Sequence, residues 1–249
     1  MKRLTRYIAA LLSACMLLTT VSFAEVVNDE ESEEVAVEQA AQQEDWRLLL
    51  VNPTHVLPED FKVELTKLSN GMLVDKRIYN DLSAMLGNCC AAGLHPMICS
   101  AYRSTETQTR LHLNKIARLR AAGYGKETAA IEAARWVAVP GTSEHQTGLA
   151  LDLVSANYQL LDHKQAETPE QKWLMEHSWE YGFILRYPVD KCEMTGIGYE
   201  PWHYRYVGRE AAAEIREKGL CLEEYLELLN GTDMEQLVQT QGDADAVTS

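Results

Sequence analysis

The run Ser143-Glu144-His145-Gln146-Thr147-Gly148-Leu149-Ala150-Leu151-Asp152 decides how this chain is read. Its second half continues as an apolar stretch, Leu149 to Val154, bounded by Gly148 and by a polar turn. Such a stretch predicts a buried strand. Strand alternation places Ala150, Asp152 and Val154 on one face, so the Asp152 carboxylate projects from a sheet surface. The first half predicts a loop in which Gly148 permits a tight turn toward that strand. His145 therefore arrives near Asp152, seven positions earlier in sequence.

A second run, Glu200-Pro201-Trp202-His203, supplies what the first lacks. Pro201 holds the preceding residue extended, so Glu200 lies on the approach to a strand that carries His203. His145, Asp152 and His203 together offer two imidazoles and one carboxylate to a single metal. Three protein ligands with an open fourth position is the catalytic form of a zinc site, whereas a structural zinc is closed by four. Glu200 is placed to serve a water at that position. The spacing differs from HExxH, where helical geometry aligns the histidines. A sheet-based site must instead collect its ligands from separate segments. Trp202 and Tyr204 flank His203 and face the opposite way along the strand, which favours core packing for both. Tyr187 is a candidate for the pocket lining.

The surrounding elements mix helix and strand. Helices are predicted over Arg77 to Ala92 (with Ile78, Leu82, Met85 and Leu86 on one face), Glu106 to Ala122 capped by Thr105, and Glu127 to Val137. Further helices are predicted over Glu170 to Tyr181, stopped by Gly182, and over Arg209 to Lys218 and Leu222 to Leu229. Strands are predicted at Met97 to Tyr102, Leu149 to Val154, Phe183 to Tyr187 and Trp202 to Val207. The class is α+β, a small, mainly antiparallel sheet flanked by helices in a single domain.

The ends differ from this body. Lys2, Arg3 and Arg6 precede a mostly apolar stretch from Ile8 to Phe23, and Ser22-Phe23-Ala24 resembles a cleavage site. Residues 1–24 read as a signal peptide. Leu12-Ser13-Ala14-Cys15 also resembles a lipoprotein box, and an uncleaved membrane tether is the third alternative. All three export the domain. Residues 25–45 read as an acidic flexible linker, 46–230 as the catalytic domain and 231–249 as a disordered acidic tail. The formal charge is −14, and loss of the three basic residues Lys2, Arg3 and Arg6 makes it −17. Such a balance argues against a nucleic-acid partner. Cleavage would leave Cys89, Cys90, Cys99, Cys192 and Cys221, an odd set, either with one disulfide or as small buried apolar residues. No S-x-x-K occurs, which argues against a serine D,D-peptidase.

Ser-Ala-Tyr-Arg-Ser (100–104), the run 143–152 and the stretch from Phe183 through Glu200-Pro201-Trp202-His203 to Gly208 resemble, in order and separation, the zinc D-Ala-D-Ala carboxypeptidases of the VanY type. Related enzymes include D,D-dipeptidases, some L,D-carboxypeptidases and phage endolysin peptidases. The resemblance covers roughly Leu48 to Gly219. It implies a hedgehog/D,D-peptidase-like fold, and one Zn2+ per chain on His145, Asp152 and His203. It implies Glu200 as general base and Arg103 as a residue that contacts substrate near the scissile bond. Gln108 and Ser143 match positions that face substrate. The implied substrate is a peptidoglycan stem peptide that loses its C-terminal D-alanine. An L,D-carboxypeptidase acting on tetrapeptide stems and a non-catalytic wall-binding module are the alternatives. A monomer is expected.

Overall fold

Four short strands build the sheet that carries the site: β3 (Pro96–Ser100), β4 (Ala150–Ser155), β5 (Phe183–Leu185) and β6 (His203–Tyr206), in the order β3-β4-β6-β5, antiparallel throughout. The computed structural model describes residues 45–231. The stretches expected to be a signal peptide (1–24), a linker (25–45, except residue 45) and a tail (231–249, except residue 231) lie outside the described residues. β4 and β6 are the inner strands, and all their residues are buried. This explains why Leu149 to Val154 reads as a nearly continuous apolar run instead of an alternation. The register sets Asp152 directly opposite His203, and Ala150 opposite Arg205. Ser100 lies opposite Asp152 on the other side. The sheet therefore brings three distant segments to one point.

A separate hairpin, β1 (Leu65–Lys67) with β2 (Leu73–Asp75), was not anticipated. It turns through Asn70-Gly71, where Gly71 takes φ 87°. β2 leads into α1 (Tyr79–Ala91), whose buried face is Leu82, Met85 and Cys89. Burying each of the larger two is worth about 1.5–3 kcal/mol. Leu86, expected on this face, is half-buried at i+4 from Leu82, and Cys89 extends the buried stripe to i+7.

α2 (Thr105–Ala121) begins one residue earlier than expected. Its cap is Ser104, not Thr105, and the Ser104 Oγ accepts from the Thr107 amide. α2 packs against α3 (Lys126–Ala134), which ends before the expected Val137. α4 (Pro169–His177) has Pro169 in its first turn and a Thr168 cap. It gives way to a 3₁₀ turn, Ser178–Tyr181, which Gly182 stops at φ 82°. After the one-turn α5 (Cys192–Thr195), α6 (Arg209–Lys218) and the helical residues 222–231 cover the β5 side. There Ile184, Val207, Ala212, Ile215, Leu222 and Tyr225 form one apolar cluster.

The α+β class with a small antiparallel sheet is thus the observed one. The five cysteines from Cys89 to Cys221 are all free thiols, with Cys89 and Cys221 buried. Among the described residues no helix is long and apolar enough to cross a membrane.

Candidate metal centre

One ligand atom each from His145, Asp152 and His203 lies within 4.8 Å of the others, and all three side chains are buried. His145 sits in the 3₁₀ turn Glu144–Thr147, which ends at Gly148 with φ 76°. A Cβ at Gly148 would meet the Asp75 amide nitrogen at 2.7 Å, and that amide donates to the Gly148 carbonyl at 3.0 Å. Only glycine fits this turn, and the turn aims His145 back at β4. Asp152 and His203 then face each other across β4 and β6.

Hydrogen-bond partners settle which ring nitrogens point inward. His145 Nδ1 lies 2.8 Å from the Ala101 carbonyl, which can only accept, so Nδ1 carries the proton. His145 Nε2 is left with a lone pair, 3.3 Å from Asp152 Oδ1. His203 Nε2 lies 3.3 Å from Glu144 Oε2. Donation to that carboxylate leaves His203 Nδ1 as the free nitrogen, 3.2 Å from Asp152 Oδ1. Two imidazole lone pairs and one carboxylate oxygen converge, each ring held by an outer acceptor. This donor set is the one that suits a zinc ion with an open position.

Glu144 is the residue the sequence reading missed. It is buried, and its Oε1 accepts from Arg186 Nε at 2.7 Å and from Arg205 Nη1 at 2.8 Å. Burial opposes its ionisation, yet the two guanidiniums and His203 hold its carboxyl well below the usual range. Arg186 makes two further bonds to Glu223, at 2.8 and 2.7 Å. Arg205 also donates to the carbonyls of Arg47 and Leu49. A fully buried ionic network thus stands directly behind the His203 ring.

Glu200 is buried beside His203, its Oε2 3.7 Å from His203 Nδ1. Burial pushes its carboxyl up to about 8, against the pull of His203. A desolvated carboxylate with a high proton affinity suits a general base. Arg103 donates to Asp152 Oδ2 at 2.6 Å and to Ser100 Oγ at 2.8 Å. It also lines the cavity, together with Ser143, Tyr187 and Trp202. Gln108 is fully buried and does not line the cavity. Its Nε2 donates to the Ala138 carbonyl at 2.7 Å, and its Oε1 lies 3.4 Å from Arg103 Nη1. Gln108 therefore stands behind Arg103, where its amide can satisfy two buried partners, and does not face the cavity as the sequence suggested. Tyr204 is core, with its hydroxyl on Gln171 at 2.8 Å.

The cavity over the site measures about 780 Å³ and runs out from His145 and His203 to α2, Trp136 and the Leu161–Lys164 segment. His163 also lines it. Two imidazoles, a carboxylate and a nearby desolvated glutamate at the base of a wide cleft are the arrangement of a mononuclear metallohydrolase.

A family model described as VanY, D-alanyl-D-alanine carboxypeptidase, matches residues 71–209. The D-alanyl-D-alanine carboxypeptidase of Enterococcus faecalis is 44% identical over 199 residues, 80% of this chain and 72% of that protein. The solved structure of VanYB in complex with D-alanine-D-alanine superposes with a TM-score of 0.69 at 47% identity, covering 74% of this chain and 98% of that one. A glutamate-to-alanine mutant of the vancomycin resistance D,D-pentapeptidase VanY, in complex with Zn(II), gives a TM-score of 0.68 at 46% identity, covering 73% and 99%. The chain belongs to the VanY family of D-alanyl-D-alanine carboxypeptidases.

Proposed function

We propose that this enzyme removes the terminal D-alanine from peptidoglycan stem peptides, with zinc held by His145 Nε2, Asp152 and His203 Nδ1. The observation that supports this most is the Asp152–His203 register pair with the two inward lone pairs. A bound zinc would supply a Lewis acid that polarises the scissile carbonyl and lowers the pKa of water to about 7.

Glu200 takes the proton from the attacking water and passes it to the amine of the departing D-alanine. Its burial keeps that proton affinity high. Arg103 reaches the same point from β3's C-terminal side and stabilises the oxyanion of the tetrahedral intermediate. Its pair with Asp152 fixes the guanidinium, and Gln108 holds it from behind. Ser143 contributes a hydroxyl at the cavity wall for the peptide. Glu144 keeps His203 in the tautomer that leaves Nδ1 free.

The domain proposed to do this spans residues 46–230 and acts outside the cytoplasm as a monomer, exported by the basic and apolar start of the chain. Mass spectrometry of muropeptides after incubation tests the reading. Conversion of pentapeptide to tetrapeptide is the expected result. Conversion of tetrapeptide to tripeptide alone would assign L,D specificity instead.

A further inference from the structure

The cleft, about 780 Å³, is roomier than the two alanyl residues at the scissile bond require, and cations line it beyond the ligand residues. α2 turns one face into it, with Leu111, Lys115 and Arg118 at i, i+4 and i+7. Lys164 approaches from the opposite wall. None of these three cations has a carboxylate in direct ion-pair contact among the described residues, although Lys164 acts on Asp162 and Lys115 on Glu200 at longer range, in a chain of formal charge −14. Lys115 is half-buried, its ammonium 5.5 Å from the centre of the Trp136 ring. A cation held on an aromatic face, with no carboxylate in direct contact and only the longer-range charge of Glu200 acting with it, is positioned for an incoming anion. The acid on this wall, Asp162, accepts from the Tyr158 hydroxyl at 2.7 Å and from the backbone amide of Lys164 at 2.9 Å.

From these contacts we infer that Lys115, Arg118 and Lys164 form a subsite for a free carboxylate carried by the substrate on the N-terminal side of the scissile D-alanyl residue. This deepens the carboxypeptidase reading and rests on it. The peptide enters with its C-terminal D-alanine at Glu200, Arg103 and the three ligand residues. Its preceding residues extend along α2 at about 3.3–3.6 Å per residue. An acidic residue one or two positions upstream then meets the cationic end. Neutralising that acid, for instance as a carboxamide, weakens binding without touching the chemistry.

Two synthetic pentapeptides ending in D-Ala-D-Ala test this. One carries a γ-linked D-glutamate with a free α-carboxylate, and the other the matching carboxamide. D-Alanine release gives kcat/KM for each. The wild-type protein is expected to favour the acid peptide by about five- to tenfold, mainly through KM, and less at high salt. The Lys115→Ala/Arg118→Ala variant brings the ratio close to one, and Lys115→Glu/Arg118→Glu inverts it. Equal rates on both peptides in the wild type overturn the subsite. So does a double variant that loses activity on both peptides equally, which would place the cations on the terminal carboxylate. Cleavage of neither peptide by the wild type overturns the carboxypeptidase reading, and the subsite with it.

Discussion

Replacing Glu144 by Gln tests whether the buried network behind His203 holds the centre together. The change keeps the volume and removes one charge. Arg186 retains Glu223 through two bonds, at 2.8 and 2.7 Å. Arg205 loses its carboxylate and keeps the carbonyls of Arg47, Leu49 and Tyr206, at 3.0, 2.8 and 2.9 Å. Breaking a buried pair by removing one partner costs about 3–5 kcal/mol. The glutamine oxygen still accepts one hydrogen bond, so the lower end, about 3 kcal/mol, applies here. For a domain of roughly 150–250 residues this lowers Tm by about 6–12 °C, read by circular dichroism in the presence of chelator. His203 Nε2 also loses its anionic acceptor, so zinc affinity in a chelator competition falls by about 10–100-fold. Adding Arg205→Met removes the stranded cation and should recover much of the stability, although not the zinc affinity. A Glu144→Gln protein within about 2 °C of wild type, with zinc affinity unchanged, would refute the reasoning.

Acid should weaken the same network. Burial opposes ionisation of Glu144 and Glu223, but their arginine partners leave both folded-state values depressed. A depressed group stabilises the fold above its unfolded pKa of about 4.3 and loses that contribution as pH falls toward the folded value. Tm should therefore hold from about pH 6 to 5 and fall steeply below about 4.3, with a shallower fall in Glu144→Gln. Gly148→Ala forces a Cβ to 2.7 Å from the Asp75 amide at φ 76°. A stability loss of about 1–3 kcal/mol in urea unfolding, with weakened zinc binding, is expected. Arg103→Lys keeps a charge but loses the planar fork shared by Ser100 and Asp152. Its kcat should drop by about 10²–10³ while zinc stays bound, checked by metal analysis beside steady-state rates.

Much of the site was legible because sheets obey simple rules. A period of two along Leu149 to Val154 put Asp152 on a face, and the extended approach after Pro201 put His203 on another strand. Nothing in the sequence gives the register, so the direct Asp152–His203 opposition needed the structure. Glu144 was missed because an acid beside a histidine in a loop looks solvated. A signal did exist. Arg186 and Arg205 lie within otherwise apolar and aromatic strand segments, and a buried guanidinium demands an anion. The hairpin was missed because its strands have three residues each, although Asn70-Gly71 is a strong turn signal. The Ser104-Thr105 hydroxyl pair left the α2 cap open to a one-residue error. Gln108 could be placed near Arg103 by spacing alone, but its inward rotation depends on the Ala138 carbonyl, thirty residues away.

The most direct test pairs metal content with turnover in wild type and Glu200→Gln. Zinc per chain is measured after dialysis, and D-alanine release is followed on a peptide ending in D-Ala-D-Ala. The wild type is expected to hold one zinc and release D-alanine. Glu200→Gln is expected to keep its zinc while turnover falls by about 10²–10⁴. A wild type that hydrolyses the peptide without zinc, or a Glu200→Gln protein with near-normal turnover, would contradict the account.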